Sequence, residues 1–272
     1  MATATCSAAA SPSPKTSDRP AYIDSLVFIV IGGSALAAFV QGLSGFGFGL
    51  TAMSLWAWTL EPQLAAVLAV FGALTGQIIA AITVRRGFNV ARLMPFIAGG
   101  LAGLPVGLYV LPRLDVPLFK GLLGLLLVVM CPLMFFASRL PRISGGGRAG
   151  DAMAGAAGGA MAALGGFTGV VPTLWCTLRG YDKDVQRAVI QNFNLAMLAI
   201  TFTSYLVTGI ATREMVPLFA IVAPAMLIPS LLGGRLYSAI SESGFRRVVL
   251  GLLTASGIAL LFAALPVLAR RW

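Results

Sequence analysis

A glycine-rich stretch at residues 40–50, VQGLSGFGFGL, is the part of this sequence best suited to chemistry. Glycine costs roughly 1 kcal/mol against alanine in a helix interior, yet the stretch lies in an apolar run without a charged residue from Ser25 to Leu60. Either this face packs very tightly against a neighbouring helix, or the chain stops being helical. We favour the second alternative, because the backbone can then turn and direct free N–H groups at an anion.

A second glycine-rich stretch, LGGFTGVVPTLW at residues 164–175, resembles LSGFGFGLTAMSLW at residues 43–56. Each stretch occupies the same place in its half of the chain, so we interpret the pair as an internal duplication. Neutral polar groups beside the glycines can complete an anion shell, and a proline can open a following helix. The site residues predicted from the two motifs are Gln41, Gly42, Ser44, Gly45, Phe46, Gly47, Gly49 and Thr51 in the first, and Gly165, Gly166, Thr168, Gly169 and Pro172 in the second.

Polar side chains in the helix after the second motif are further candidates. In DVQRAVIQNFNLAM, residues 184–197, Arg187, Gln191 and Asn194 lie on one helical face at i, i+4 and i+7. Polar groups inside lipid are costly unless they are hydrogen-bonded or hydrated, and their presence therefore indicates function. The alternative is that Arg187 reaches the headgroups while the amides bridge helices. The predicted site residues outside the motifs are Arg187, Gln191, Asn192, Asn194 and, in the corresponding helix of the first half, Gln77.

Composition indicates that the bilayer is the solvent of this chain. Of the 272 residues, 58% are hydrophobic and 10% are charged, whereas a soluble domain has about 25% charged residues. The net charge of +10 is interpreted as basic loops between membrane spans and not as nucleic-acid binding, because the arginines punctuate apolar blocks. With no histidine and three isolated cysteines, we predict no metal site, no cofactor and no disulfide framework.

Apolar blocks of the length that crosses about 30 Å of hydrocarbon organise the chain. Four blocks precede a segment rich in proline, glycine and arginine, and four follow it. The fold class predicted is an all-α polytopic membrane protein made of two homologous halves. Its predicted parts are a disordered N-terminal tail at residues 1–22, a first membrane repeat at 23–137, a linker loop at 138–151 and a second membrane repeat at 152–272.

The first block of each half has an unusual length. The run from Leu26 to Leu60 is too long for one span and tight for two, which favours a broken or re-entrant helix pair. Non-helical backbone at membrane depth is tolerated only where it is buried in protein or lines a watery cavity. Loop charges fit parallel and inverted halves equally well. The block lengths and the duplication favour inverted repeats, which are common in secondary transporters.

The motifs GLSGFGFGL at residues 42–50 and GGFTGVVPTL at residues 165–174, with the two-half layout and the length, resemble the sulfite exporter TauE/SafE family of membrane permeases. The resemblance covers most of residues 25–270. It departs from the family pattern where Thr51 stands in place of a proline and where Thr168 and Val170 interrupt the second glycine cluster. It implies a permease for sulfite, sulfoacetate or another organosulfonate in the bacterial inner membrane.

The predicted function is therefore export of small sulfur-containing anions by a secondary transporter that works by alternating access. An anion channel of the same architecture is the alternative. An intramembrane enzyme is less favoured, because histidine and paired carboxylates are missing. We expect carboxylates only at block ends, which suits an anionic substrate. The expected partners are this substrate, the lipid bilayer and, if the stripe of Gly99, Gly103 and Gly107 packs between subunits, a second copy of the chain.

Overall fold

The computed structural model describes residues 19–83, 87–137, 141–143, 145–236 and 242–270, and every regular element in these ranges is a helix. The all-α prediction is confirmed. Residues 1–18 of the predicted N-terminal tail lie outside the described residues. The helices are α1 (Arg19–Ser44), α2 (Phe48–Trp56), α3 (Pro62–Thr83), α4 (Val90–Val110), α5 (Val116–Phe136), α6 (Gly147–Gly165), α7 (Val170–Leu178), α8 (Lys183–Val207), α9 (Val216–Leu236) and α10 (Glu242–Ala269).

Seven helical segments in the described ranges are long and apolar enough to cross a membrane. The chain is therefore an integral membrane protein, as its composition indicates. α6 is not among the seven, although it packs along the length of the spanning helix α4. The seven segments are Leu26–Ser44, Pro62–Thr83, Val90–Arg113, Val116–Phe136, Asp184–Val207, Arg213–Leu236 and Val248–Ala269.

Both glycine motifs interrupt a helix, and both interruptions are hairpin turns. Nε1 of Trp56, at the end of α2, donates to the carbonyl oxygen of Ile29 (3.3 Å), near the start of the apolar span of α1. Nε1 of Trp175 in α7 donates to the carboxylate of Asp151, near the start of α6 (2.8 Å). The short helices α2 and α7 have nine residues each, or about 14 Å. Each therefore folds back along its longer partner from a turn at the glycines.

Close approach of backbones joins the two halves. The main helix pairs are α4 with α6, α1 with α9 and α5 with α10, and each pair takes one helix from each half. The predicted glycine stripe of α4 packs within the subunit, because added Cβ atoms would collide with carbonyl oxygens of α6. The colliding pairs, in register along both helices, are Gly99 with Ala152, Gly103 with Ala156 and Gly107 with Ala160. α4 and α6 therefore run in the same direction.

Asp151 is a buried carboxylate near the start of α6. α6 begins at Gly147, inside the segment 138–151 that was interpreted as a linker. Asp151 consequently lies in the second turn of a helix, and its side chain is buried. Burial is tolerated because the carboxylate accepts hydrogen bonds from Trp175 Nε1 (2.8 Å) and from the hydroxyl of Tyr181 (3.4 Å).

Candidate functional site

The long helix of each hairpin ends at a glycine in the left-handed conformation. Gly45 follows α1 with φ 76°, and Gly166 follows α6 with φ 72°. Each donates its N–H to the carbonyl oxygen four residues earlier, Gln41 (2.7 Å) and Ala162 (2.8 Å). A left-handed residue at this position stops a helix, and glycine adopts it without a steric penalty. The two glycines aligned by the similarity of the two motifs thus have the same structural role.

The short helices begin without a side-chain cap. α2 follows Gly47 and α7 follows Gly169, and neither position has a capping hydrogen bond from a side chain. The first N–H groups of a helix lack partners within that helix. In the described ranges, the hydrogen bonds that hold the two turns leave the N–H groups of Gly47 and Gly169 unused. Both helices therefore direct a positive dipole end out of the turn. The start of α7 has fewer free donors than that of α2, because the N–H of Val170 donates to the carbonyl oxygen of Phe167 (3.3 Å) and Pro172 has no N–H.

These two helix starts meet at one cavity of about 10 Å³, which is roughly the space of a single water molecule. The hairpin turns touch beside it, because a Cβ at Gly49 would collide with the carbonyl oxygen of Gly165. None of the described residues that line the cavity is charged. The lining residues are Gln41, Phe46, Gly47, Phe48, Leu50, Ala73, Gln77, Gly166, Phe167, Thr168, Gly169, Val170, Asn194 and Leu198.

Four buried polar side chains line the cavity: those of Gln41, Gln77, Thr168 and Asn194. Nε2 of Gln41 donates to the carbonyl oxygen of Ala73 in α3 (2.9 Å). Nε2 of Gln77 donates to the carbonyl oxygen of Gly45 (2.8 Å). These bonds fix the first hairpin against α3. Within the described part of the chain, Oε1 of Gln41 and Oδ1 of Asn194 are buried without a hydrogen-bond partner.

The cavity brings together eight of the residues that the sequence singles out and leaves ten outside its lining. Gly49 and Gly165 stand next to it, where the two turns touch. The residues that line it are Gln41, Phe46, Gly47, Gln77, Gly166, Thr168, Gly169 and Asn194. The residues that do not are Gly42, Ser44, Gly45, Gly49, Thr51, Gly165, Pro172, Arg187, Gln191 and Asn192.

Several residues outside the lining have identifiable contacts. A Cβ at Gly42 would collide with the backbone of α9 at Ser230, so this glycine serves helix packing. The hydroxyl of Ser44 donates to the carbonyl oxygens of Val40 and Phe46. Nδ2 of Asn192 donates to the carbonyl oxygen of Gly87 (3.1 Å), in the loop before α4.

Two members of the polar face of α8 lie near the cavity at different hairpins. A Cβ at Gly45 would lie 3.2 Å from Nε2 of Gln191, and one at Gly169 would lie 2.9 Å from Nδ2 of Asn194. Thus α8 touches the first turn with one amide and the second turn with the other. Arg187, one turn earlier, is half-buried and does not reach the cavity lining.

A polar cluster at the open end of the second hairpin was not predicted. It consists of Asp151, Trp175 and Tyr181, with the guanidinium of Arg92 stacked 5.1 Å from the tyrosine ring centre. Burial and the neighbouring Asp151 carboxylate raise the pKa of Tyr181. Trp175 is the last residue of the second motif in the sequence. Its position there was the sequence signal that this motif folds back on the start of α6.

The fold and the cavity define a class: helical membrane proteins in which interrupted helices meet at a shared site, as in many membrane transporters. The family model described as sulfite exporter TauE/SafE matches residues 30–260. The chain belongs to this family of membrane transporters, and the resemblance seen in the glycine motifs is confirmed. No match was found among curated proteins or among solved structures.

Proposed function

We propose that this protein is a secondary transporter that exports sulfite, sulfoacetate or another small organosulfonate across the bacterial inner membrane. Family membership supports transport of a sulfur-containing anion. The observation that carries the proposal is the cavity at which the uncapped starts of α2 and α7 meet.

A small anion is the ligand that suits this cavity. Each helix start has the effect of roughly half a positive charge, so two starts together offset about one negative charge. The N–H groups supply donors that need no side-chain reorganisation. Because the described lining is otherwise neutral, the site suits a singly charged oxyanion better than a cation.

The size of the cavity supports alternating access. A space of about 10 Å³ is too small for an anion of one sulfur and three oxygen atoms. Binding therefore requires the hairpin turns to separate, and release requires them to separate again. An anion channel of the same architecture needs a continuous open path, which a cavity as narrow as this one does not favour.

The two halves form an inverted repeat in this proposal. Three spanning helices, α3, α4 and α5, follow the first hairpin, so the chain changes sides before the second hairpin begins. The parallel direction of α4 and α6 supports this arrangement. Contacts between the halves are also reciprocal, since α1 packs on α9 as α6 packs on α4. Hairpins that enter from opposite sides can be exposed alternately by rocking one half against the other.

Thermal unfolding of the purified protein in detergent tests the proposed substrate class. The panel contains sulfite, sulfoacetate, thiosulfate, sulfate, taurine and acetate at equal ionic strength. A ligand at 100 times its dissociation constant stabilises a protein by about 2.7 kcal/mol, so we expect a raised melting temperature with sulfite or a sulfonate and not with acetate. Stabilisation by none of the sulfur anions would overturn the proposal.

A further inference from the structure

Three aromatic rings meet beyond the second hairpin turn, on the side of it that faces away from the first turn. We propose that Phe71, Phe202 and Phe219 form a gate that closes the path between the cavity and one side of the membrane, and that this structure is the state open to water on the other side. The proposal rests on the proposed function, because the gate serves the same cavity, and it names the residues that alternating access would have to separate.

The contacts of α3 give the order of the two turns across the membrane. Nε2 of Gln77 donates to the carbonyl oxygen of Gly45 in the first turn (2.8 Å). One helical turn earlier, the Cβ of Ala73 lies 3.6 Å from the position of a Cβ added at Gly166, in the second turn. In the direction of its own N-terminus, α3 therefore passes the first turn and then the second. Phe71 lies two residues further in that direction.

The contacts of α8 give the same order in the opposite chain direction. Nε2 of Gln191 lies 3.2 Å from a Cβ added at Gly45, and Nδ2 of Asn194 lies 2.9 Å from one added at Gly169. In the direction of its C-terminus, α8 therefore passes the first turn, then the second, and then reaches Phe202. We call the side on which α3 begins and α8 ends the gate side, and the side on which α3 ends and α8 begins the open side.

The three rings contact one another in a closed triangle. The ring centre of Phe71 lies 4.6 Å from that of Phe219 and 5.7 Å from that of Phe202, and the last two are 5.8 Å apart. The rings come from three helices, α3, α8 and α9. Phe202 lies one turn beyond Leu198, which lines the cavity. Because apolar constrictions close a pathway by excluding water, this cluster is placed to close the cavity towards the gate side.

The two turns differ in exposure. Their left-handed glycines are half-buried in both, but the neighbouring residues are not alike. Ser44 is exposed and Phe46 is half-buried, whereas Gly165 and Phe167, which align with them, are buried. Non-helical backbone at membrane depth does not face lipid and is either buried in protein or in contact with a water-filled space. The first turn, which lies towards the open side, therefore faces water, and the second turn does not.

The residues that correspond to the gate on the open side are of different types. Extended into α3 and α8, the alignment of the two glycine motifs pairs residues that all line the cavity, Ala73 with Asn194 and Gln77 with Leu198. The same alignment pairs Phe71 with Asn192, and Phe202 with Ala81. Nδ2 of Asn192 donates to a backbone carbonyl oxygen (3.1 Å), and Ala81 is exposed. Two of the three rings thus have no aromatic counterpart, so the gate is one-sided.

Cysteine accessibility tests the proposal on the full chain without any substrate. Ser44→Cys and Thr168→Cys are made separately in a Cys6→Ser background, in which the remaining Cys131 and Cys176 are buried. A membrane-impermeant maleimide is added to vesicles of either orientation, prepared from cells that produce the protein. The opposite state of a two-state protein is populated at about 10% or less. We therefore expect Ser44→Cys to react at least about tenfold faster from one face, and Thr168→Cys to react slowly from the other.

Substitutions in the gate provide the second arm of the test. Phe202→Ala removes two of the three ring contacts, and we expect it to raise the labelling rate of Thr168→Cys from the gate side by about tenfold. Phe219→Ala also removes two contacts and should act in the same direction. The control is Phe135→Ala, which removes a ring contact of 4.8 Å in α5, a helix that contributes no residue to the described lining. It should leave the labelling rate unchanged.

Two results would overturn the proposed gate. One is labelling of Ser44→Cys at comparable rates from both faces. The other is a pair of gate variants in which Thr168→Cys reacts as slowly from the gate side as it does in the control. Neither result bears on anion binding, because labelling needs no substrate. Absence of stabilisation by every sulfur anion would instead overturn the proposed function, whatever the labelling shows.

Discussion

Gly169 has ordinary helical backbone angles, φ −85° and ψ −6°, so alanine fits its conformation and only space is at issue. An added Cβ would lie 2.9 Å from Nδ2 of Asn194, which is too close, so the amide must move away from the start of α7. We predict that Gly169→Ala lowers the apparent affinity for the transported anion by about tenfold or more. Binding measured with the purified variant and initial rates in vesicles check this.

The matched control for that variant is Gly251→Ala in α10, where nothing lies within 4 Å of the added methyl group. It makes the same chemical change at an open position. Wild-type affinity is expected for the control. If Gly169→Ala also binds with wild-type affinity, Asn194 does not contribute to the site in the way proposed.

Residue types in the sequence identify the turns better than they identify the cavity lining. A turn in the left-handed conformation is expected at glycines such as Gly45 and Gly166, because other residues rarely adopt it. Helical periodicity places Arg187, Gln191 and Asn194 on one face of α8. Periodicity does not reveal which neighbour each side chain meets, and Gln191 and Asn194 in fact touch different hairpins.

At the scale of helices, the close contact between α4 and α6 predicts that a glycine-to-alanine substitution destabilises the protein in α4 but not at an open position of α10. Gly103→Ala places a methyl group against the carbonyl oxygen of Ala156. We expect it to lower the free energy of unfolding by about 1–3 kcal/mol. Gly251→Ala should instead leave stability unchanged or raise it by up to about 1 kcal/mol. Thermal unfolding in detergent measures both, and equal shifts of the same sign would contradict the packing described.

The second hairpin is held by a buried carboxylate, which gives a further prediction. Asp151→Ala removes the acceptor of Trp175 Nε1 and of the Tyr181 hydroxyl. We expect a loss of about 1–3 kcal/mol of unfolding free energy. Asp182→Ala is the control, since Asp182 is exposed and makes no capping bond to α8, and it should change stability by less than about 0.5 kcal/mol. Comparable losses in both variants would exclude a special role for Asp151.

The helical hairpins themselves could be anticipated from block length, whereas the contacts that close them could not. A run such as Leu26 to Leu60 is too long for one span, which predicts an interruption. The start of α6 was obscured by GGGRAGD, which has the composition of a loop but continues as helix from Gly147. That composition predicts a linker that includes Asp151. Its burial depends on Trp175, a contact that only the folded hairpin creates.

At the scale of the whole molecule, the proposed transport mechanism depends on the two hairpins meeting at one cavity. The sequence duplication predicts equivalent elements in each half but not their meeting point. The glycines that allow the turns to touch, Gly49 and Gly165, also place the contact between the halves at the cavity. A relative movement of the halves would therefore open the site, as alternating access requires.

Exchange of labelled sulfite in vesicles that contain the purified protein tests this account most directly. Vesicles loaded with unlabelled sulfite are diluted into labelled sulfite, with Asn194→Leu and Gly251→Ala measured in parallel. We predict saturable uptake that internal sulfite accelerates, unchanged in Gly251→Ala and reduced about tenfold or more in Asn194→Leu. Uptake no faster than in protein-free vesicles, or equal uptake by wild type and Asn194→Leu, would contradict the assignment of this cavity as the transport site.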